Sequence, residues 1–135
     1  MKKSALILFL ILLLSGCGGG GRGNNEIGIT LTGTVSQGAV SGGQGNPVPS
    51  ATVTIPELNK SDEITQTDGG RYAISGIPIG GTFTVRVTDP NTQTVDVTCG
   101  ITIPNSTTLT VTSNSTACSV GTSSGAGELV LNITI

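Results

Sequence analysis

The feature that most restricts this fold is a two-residue alternation that recurs along the chain after residue 26. Ile27, Ile29 and Leu31 alternate with Gly28, Thr30 and Thr32, and the series runs on to Val35. Ala51, Val53 and Ile55 repeat it, as do Phe83, Val85 and Val87, and then Val95, Val97, Cys99, Ile101 and Ile103. Leu109 and Val111 form a shorter run, and Leu129, Leu131, Ile133 and Ile135 a last one. Period two places one residue set on a buried face, and no stretch here has helical period. Turn residues separate the runs. Asp68-Gly69-Gly70 stands between Ile64–Thr67 and Arg71–Ile74 and predicts a hairpin. Pro78-Ile79-Gly80-Gly81 and Asp89-Pro90-Asn91 predict further turns. Gln37–Pro49 reads as a long loop, Glu57–Glu63 as a polar excursion, and Ser113–Gly127 as a loop pinned by Cys118. About seven strands, in an all-β antiparallel β-sandwich, is the expected architecture.

The first residues obey a different rule. Lys2 and Lys3 precede an unbroken apolar run, Ala5–Leu14, followed by the small residues Ser15 and Gly16. Ten residues reach about 15 Å as a helix, half of a hydrocarbon core about 30 Å thick. The segment is too short to span and has the layout of a secretory signal peptide. Leu14-Ser15-Gly16-Cys17 also resembles the lipobox of bacterial lipoproteins, Leu-[Ala/Ser]-[Gly/Ala]-Cys. That resemblance implies cleavage between Gly16 and Cys17, removing residues 1–16, and acylation of Cys17. Two or more chains anchor stably where one does not. Residues 17–25, mostly glycine, then read as a lipidated tether with a root-mean-square span of about 15 Å, and residues 26–135 as the sandwich. The resemblance implies a membrane-anchored lipoprotein of the cell envelope. Gly18, rather than Asp, follows the cysteine, which favours the outer membrane where there are two.

Composition excludes several functions. With Lys2 and Lys3 removed, Arg22, Lys60, Arg71 and Arg86 face eight carboxylates, a net charge of −4. Four scattered cations build no basic stripe, so no nucleic acid is an expected partner. With Cys17 acylated, Cys99 and Cys118 remain as an even pair in an oxidising compartment, and a disulfide is the expected state; two buried reduced thiols are the alternative. Neither histidine nor a CxxC spacing accompanies them, so no metal is expected there.

Four pieces occur in order between residues 33 and 87: Gly33-Thr34-Val35, Pro47–Ile55, Thr67–Ile74 and Ile77–Val85. Together they resemble the carboxypeptidase regulatory-like domain, a transthyretin-like β-sandwich with the pattern GxV…PLPGAxVxL…TDxxGxYxIxxLPxGxYxVxV. In this chain the loop before Pro47 is long, the Thr67–Tyr72 turn is one residue short, and Pro78–Phe83 is one residue long. Beyond residue 88 the likeness is one of strand character only.

Catalytic parts are scarce. Without histidine no Ser–His or Cys–His nucleophile can be assembled, and a Ser–Lys dyad would need Lys60. Asp62-Glu63 is a carboxylate pair, but on adjacent residues. Asp62, Glu63, Asp68, Asp89 and Asn91 lack the spacing of a calcium loop. Pilin-type relatives of the sandwich carry Lys–Asn isopeptide bonds; Lys60, the only lysine beyond the leader, lies outside every strand pattern. The sequence therefore predicts a non-enzymatic protein with no cofactor, no catalytic residue and no metal ligand. It is expected to bind an envelope protein or a glycan. Alternatives are an assembly subunit joined by strand pairing and, more distantly, an accessory domain of a hydrolase.

Overall fold

The computed structural model describes residues 28–38, 45–90, 95–113 and 115–135. The leader, Gly16, Cys17 and the Gly-rich stretch lie outside the described residues, as do Ile27, Asn91 and part of the loop before Pro47. Ten strands are described: β1 (Gly28–Gln37), β2 (Asn46–Pro47), β3 (Ala51–Ile55), β4 (Lys60–Ile64), β5 (Arg71–Pro78), β6 (Gly81–Thr88), β7 (Val95–Asn105), β8 (Thr108–Val111), β9 (Cys118–Val120) and β10 (Glu128–Thr134). One 3₁₀ turn, Pro56–Leu58, follows β3.

The expected all-β, two-sheet sandwich is what these strands form. In the first sheet β1 and β10 are central, β9 flanks β10, and β5 pairs with β1 over Gly28–Thr34. β2 prolongs the β5 side at Ser36–Gln37. The second sheet has the order β4-β3-β6-β7-β8. Alternation delivers the core: β3 and β10 bury every second residue, and Leu31, Val35, Val53, Ile55, Val85, Ile101 and Leu131 are fully buried. Each such side chain contributes about 1.5–3 kcal/mol relative to exposure. Tyr72 and Phe83 are also in this core.

Several details differ from the sequence reading. β1 and β10 pair in parallel, Thr30 opposite Glu128 through Ser36 opposite Thr134, whereas the other pairs are antiparallel. A parallel pair needs a crossover connection, and here everything between the first and last strands serves as one. Asp68-Gly69-Gly70 makes no hairpin: β4 pairs with β3 in the second sheet and β5 with β1 in the first. The turn carries the chain between layers. Gly69 and Gly70 take φ of +61° and +76°, and a Cβ on Gly70 would lie 2.5 Å from the Val35 carbonyl oxygen. Lys60–Glu63 belongs to an edge strand: Ser61 and Glu63 face solvent, Lys60 and Asp62 are half-buried opposite Ile55 and Val53, and Ile64 enters the core. Within the expected loop, Cys118–Val120 pairs with β10. Gly100 causes no bulge against β6, where the register runs unbroken from Gly81–Ile103 to Val87–Val97.

One local arrangement joins three strands. Gly33 of β1 sits opposite Tyr72 of β5, whose hydroxyl crosses β1 and donates to the Leu131 carbonyl of β10 at 2.7 Å. Burial and loss of hydration push the Tyr72 hydroxyl far above its ordinary value, so it remains protonated as the donor. Only glycine leaves room for this crossing.

Candidate functional site

The strand residues of even number on β1 and β10 face outward, and they floor a groove of about 720 Å³ on the first sheet. Thr32 and Thr34 come from β1, Glu128, Val130 and Asn132 from β10, and Arg71 and Ala73 from β5. Asp62 and Glu63 of β4, with Thr67 and Asp68 of the turn, form one wall. Its volume is in the range of small-ligand sites, although its lining is more polar than most of them.

Side-chain hydrogen bonds fix that lining. Thr32 Oγ1 donates to Glu128 Oε1 at 2.9 Å, and Ser124 Oγ donates to Oε2 of the same carboxylate. Asn132 Oδ1 accepts from the Thr34 amide at 3.2 Å and from its hydroxyl at 3.0 Å. Asp68 Oδ2 accepts from the Thr65 hydroxyl and amide, both at 2.6 Å. Asp62 Oδ2 accepts from the Ala73 amide at 2.7 Å. These carboxylates are already engaged in building the groove rather than poised on a reacting atom.

The bonds shift two acidities. The Thr65 hydroxyl, then its amide, holds Asp68 below the ordinary carboxylate value; Ser124, then Thr32, does the same for Glu128. A depressed folded-state value means that the unfolded chain binds protons more readily. The associated stabilisation is therefore present above about pH 4 and lost as pH falls through the folded values. Thermal melts between pH 2 and 7 should show a midpoint that falls in acid. The Asp68→Asn, Glu128→Gln double variant should give a flatter profile; an identical acid slope would contradict this reading.

Cys99 and Cys118 are bonded to each other, with Cα atoms 6.0 Å apart. They join β7 of the second sheet to β9 of the first, and both are buried. Neither lines the groove. Gly16 and Cys17 lie outside the described residues. Asp62 and Glu63 alternate along β4, one half-buried against β5 and one exposed, so they do not face a common atom. Lys60 opens β4 opposite Ile55 rather than lying outside a strand. Among the described residues no group of three His, Cys, Asp or Glu side chains is placed to hold a metal ion. Glu128, Asn132 and Thr32 carried no binding motif in the sequence, and Arg71 entered it only beside the Asp68-Gly69-Gly70 turn and within the Thr67–Ile74 piece; outward parity on β1, β5 and β10 was the signal that could have found them.

No protein-family model and no curated protein matches the sequence. Two solved structures, in space groups P21 and P1, are similar to it. Each is described as a bacterial adhesin from Mobiluncus mulieris containing intramolecular disulfide, isopeptide and ester bond cross-links. Identities are 17% and 16%, covering 80% and 79% of this chain and 41% of each adhesin chain, with a TM-score of 0.33 in both cases. This chain thus spans less than half the length of those structures. At that TM-score the likeness assigns neither partner nor activity.

Proposed function

We propose that this chain is a lipid-anchored protein of the bacterial cell envelope whose sandwich, of the carboxypeptidase regulatory-like type, binds a surface protein without catalysing a reaction. The observation that carries the binding reading is the groove of about 720 Å³, in which the carboxylates of Asp62, Asp68 and Glu128 are tied into internal hydrogen bonds. The anchor rests on Leu14-Ser15-Gly16-Cys17 following the apolar leader. A protein fits the groove better than a glycan. Sugar platforms rely on exposed rings, and Tyr72 and Phe83 are both buried. Assembly by strand pairing has less support, because the sheet edges are short, charged or bulged.

Membrane fractionation combined with cross-linking in cells tests both halves. Cys17→Ser should move the protein from the membrane to the soluble fraction or stall its processing. A photo-cross-linker at exposed Thr34 should capture a defined protein that Val130→Arg, which fills the groove, no longer captures. A soluble wild-type protein with a free Cys17 would refute the anchor. Equal capture by Val130→Arg would refute the groove.

A further inference from the structure

An unpaired strand edge is a template for another strand, and β5 has one. Its inner side pairs with β1, and the other has no strand partner among the described residues. The Val35 amide bonds the Gly70 carbonyl on the β1 side, so by alternation the main-chain groups of Arg71 and Ala73 point outward.

Each part of that edge is closed by a different device. Toward the C-terminal end, a register shift opposite Ile29–Leu31, Gly76 at φ +72° and finally Pro78 deform the strand. At the N-terminal end the Arg71 amide donates to the Asp68 carbonyl, 3.2 Å away within the turn. Between them lies Ala73, with an exposed side chain and an amide engaged only by the Asp62 carboxylate reaching across from β4 in the other sheet, at 2.7 Å. The remaining edges need no such cover. β9 has three residues and β8 has four, and β4 carries Lys60, Asp62 and Glu63.

We propose that Asp62 is an edge guard: its carboxylate occupies the Ala73 amide and so prevents a second copy of this chain from pairing β5 to β5. Such a pair would be isologous, with the Ala73 amide of each copy donating to the Ala73 carbonyl of the other across a two-fold axis. Arg71 would then stand across from Ser75, so no like charges oppose the contact. A carboxylate suits the task because its oxygen accepts strongly from the Ala73 amide and so withholds that donor from an incoming strand.

The test uses the full-length chain, expressed with its leader and extracted in mild detergent. Sedimentation over a concentration series compares wild type with Asp62→Ala, Asp62→Asn and Glu63→Ala, while NMR follows exchange of the Ala73 amide. Asp62→Ala should show an apparent mass rising about twofold with concentration, as expected for a two-fold pair. Its Ala73 amide should exchange faster than in wild type when dilute and regain protection on association. Asp62→Asn, which keeps an acceptor, and Glu63→Ala, which loses a neighbouring charge, should behave as wild type. Should Asp62→Ala fail to fold, Asp62→Thr, short and β-prone, repeats the comparison. A folded Asp62→Ala or Asp62→Thr that never associates would overturn the proposal. So would Glu63→Ala associating to the same extent, since charge alone would then be responsible.

Discussion

Gly33→Ala should leave the domain unable to fold, or should lower its stability by more than about 4 kcal/mol, the range that marks severe backbone or core damage. A Cβ built on Gly33 lies 1.8 Å from the Leu131 carbonyl oxygen and 2.7 Å from its carbonyl carbon, with Tyr72 Cε1 at 3.0 Å. The two closest obstacles are backbone, in a strand whose neighbouring residues are fixed in the core, so neither can swing aside as a flexible side chain would. Relief would require β1 and β10 to separate, and with them the Tyr72–Leu131 bond and the Thr34–Asn132 contacts. Total stabilities are only about 5–15 kcal/mol, so a loss of this size removes most of the margin. Gly125→Ala is the matching control: a Cβ there meets nothing within 4 Å, and the substitution should be close to neutral. Urea denaturation of both variants checks the contrast. A Gly33→Ala protein as stable as wild type would show that the sheet is not packed as described.

The second large effect concerns the bond between layers. Replacing Cys99 and Cys118 together by alanine should cost about 3 kcal/mol for a loop of this length, equivalent to a fall in melting temperature of roughly 10–20 °C. The bridge spans 19 residues and ties β7 to β9 where both sulfurs are buried, so alanine also leaves unfilled volume in the core. β9 should be the element most affected, because its three residues pair only with β10 among the described strands. Differential scanning calorimetry of the double variant, compared with Cys118→Ala alone, provides the measurement. Equal midpoints for wild type and double variant would leave the bond with no role in stability.

The alternation of Val53, Val85, Ile101 and Leu131 made the two-layer architecture legible, because period two and a buried face are one fact stated twice. Cys99 was legible for the same reason: its parity matches Ile101 and Ile103, and all three are buried. What local pattern does not hold is which strand each run joins. Asp68-Gly69-Gly70 suits a hairpin and a layer-changing link equally well, and the choice rests on Ala51–Ile64 and Thr34–Arg71 pairings that no short window contains. β4 was missed because an edge strand can be polar at most positions; only Ile64 marks its buried end. The groove was least visible, since Thr32, Arg71, Glu128 and Asn132 read as ordinary outward residues until three strands bring them together.

The parallel pairing of β1 with β10 bears on how the domain would respond to mechanical load. Tension applied at the N-terminal end of β1 and the C-terminal end of β10 runs along both strands in opposite directions. The pairing between Thr30–Ser36 and Glu128–Thr134 is then loaded in shear, all its hydrogen bonds at once rather than one after another as in unzipping. A module moored near β1 and pulled beyond β10 would hold as a clamp.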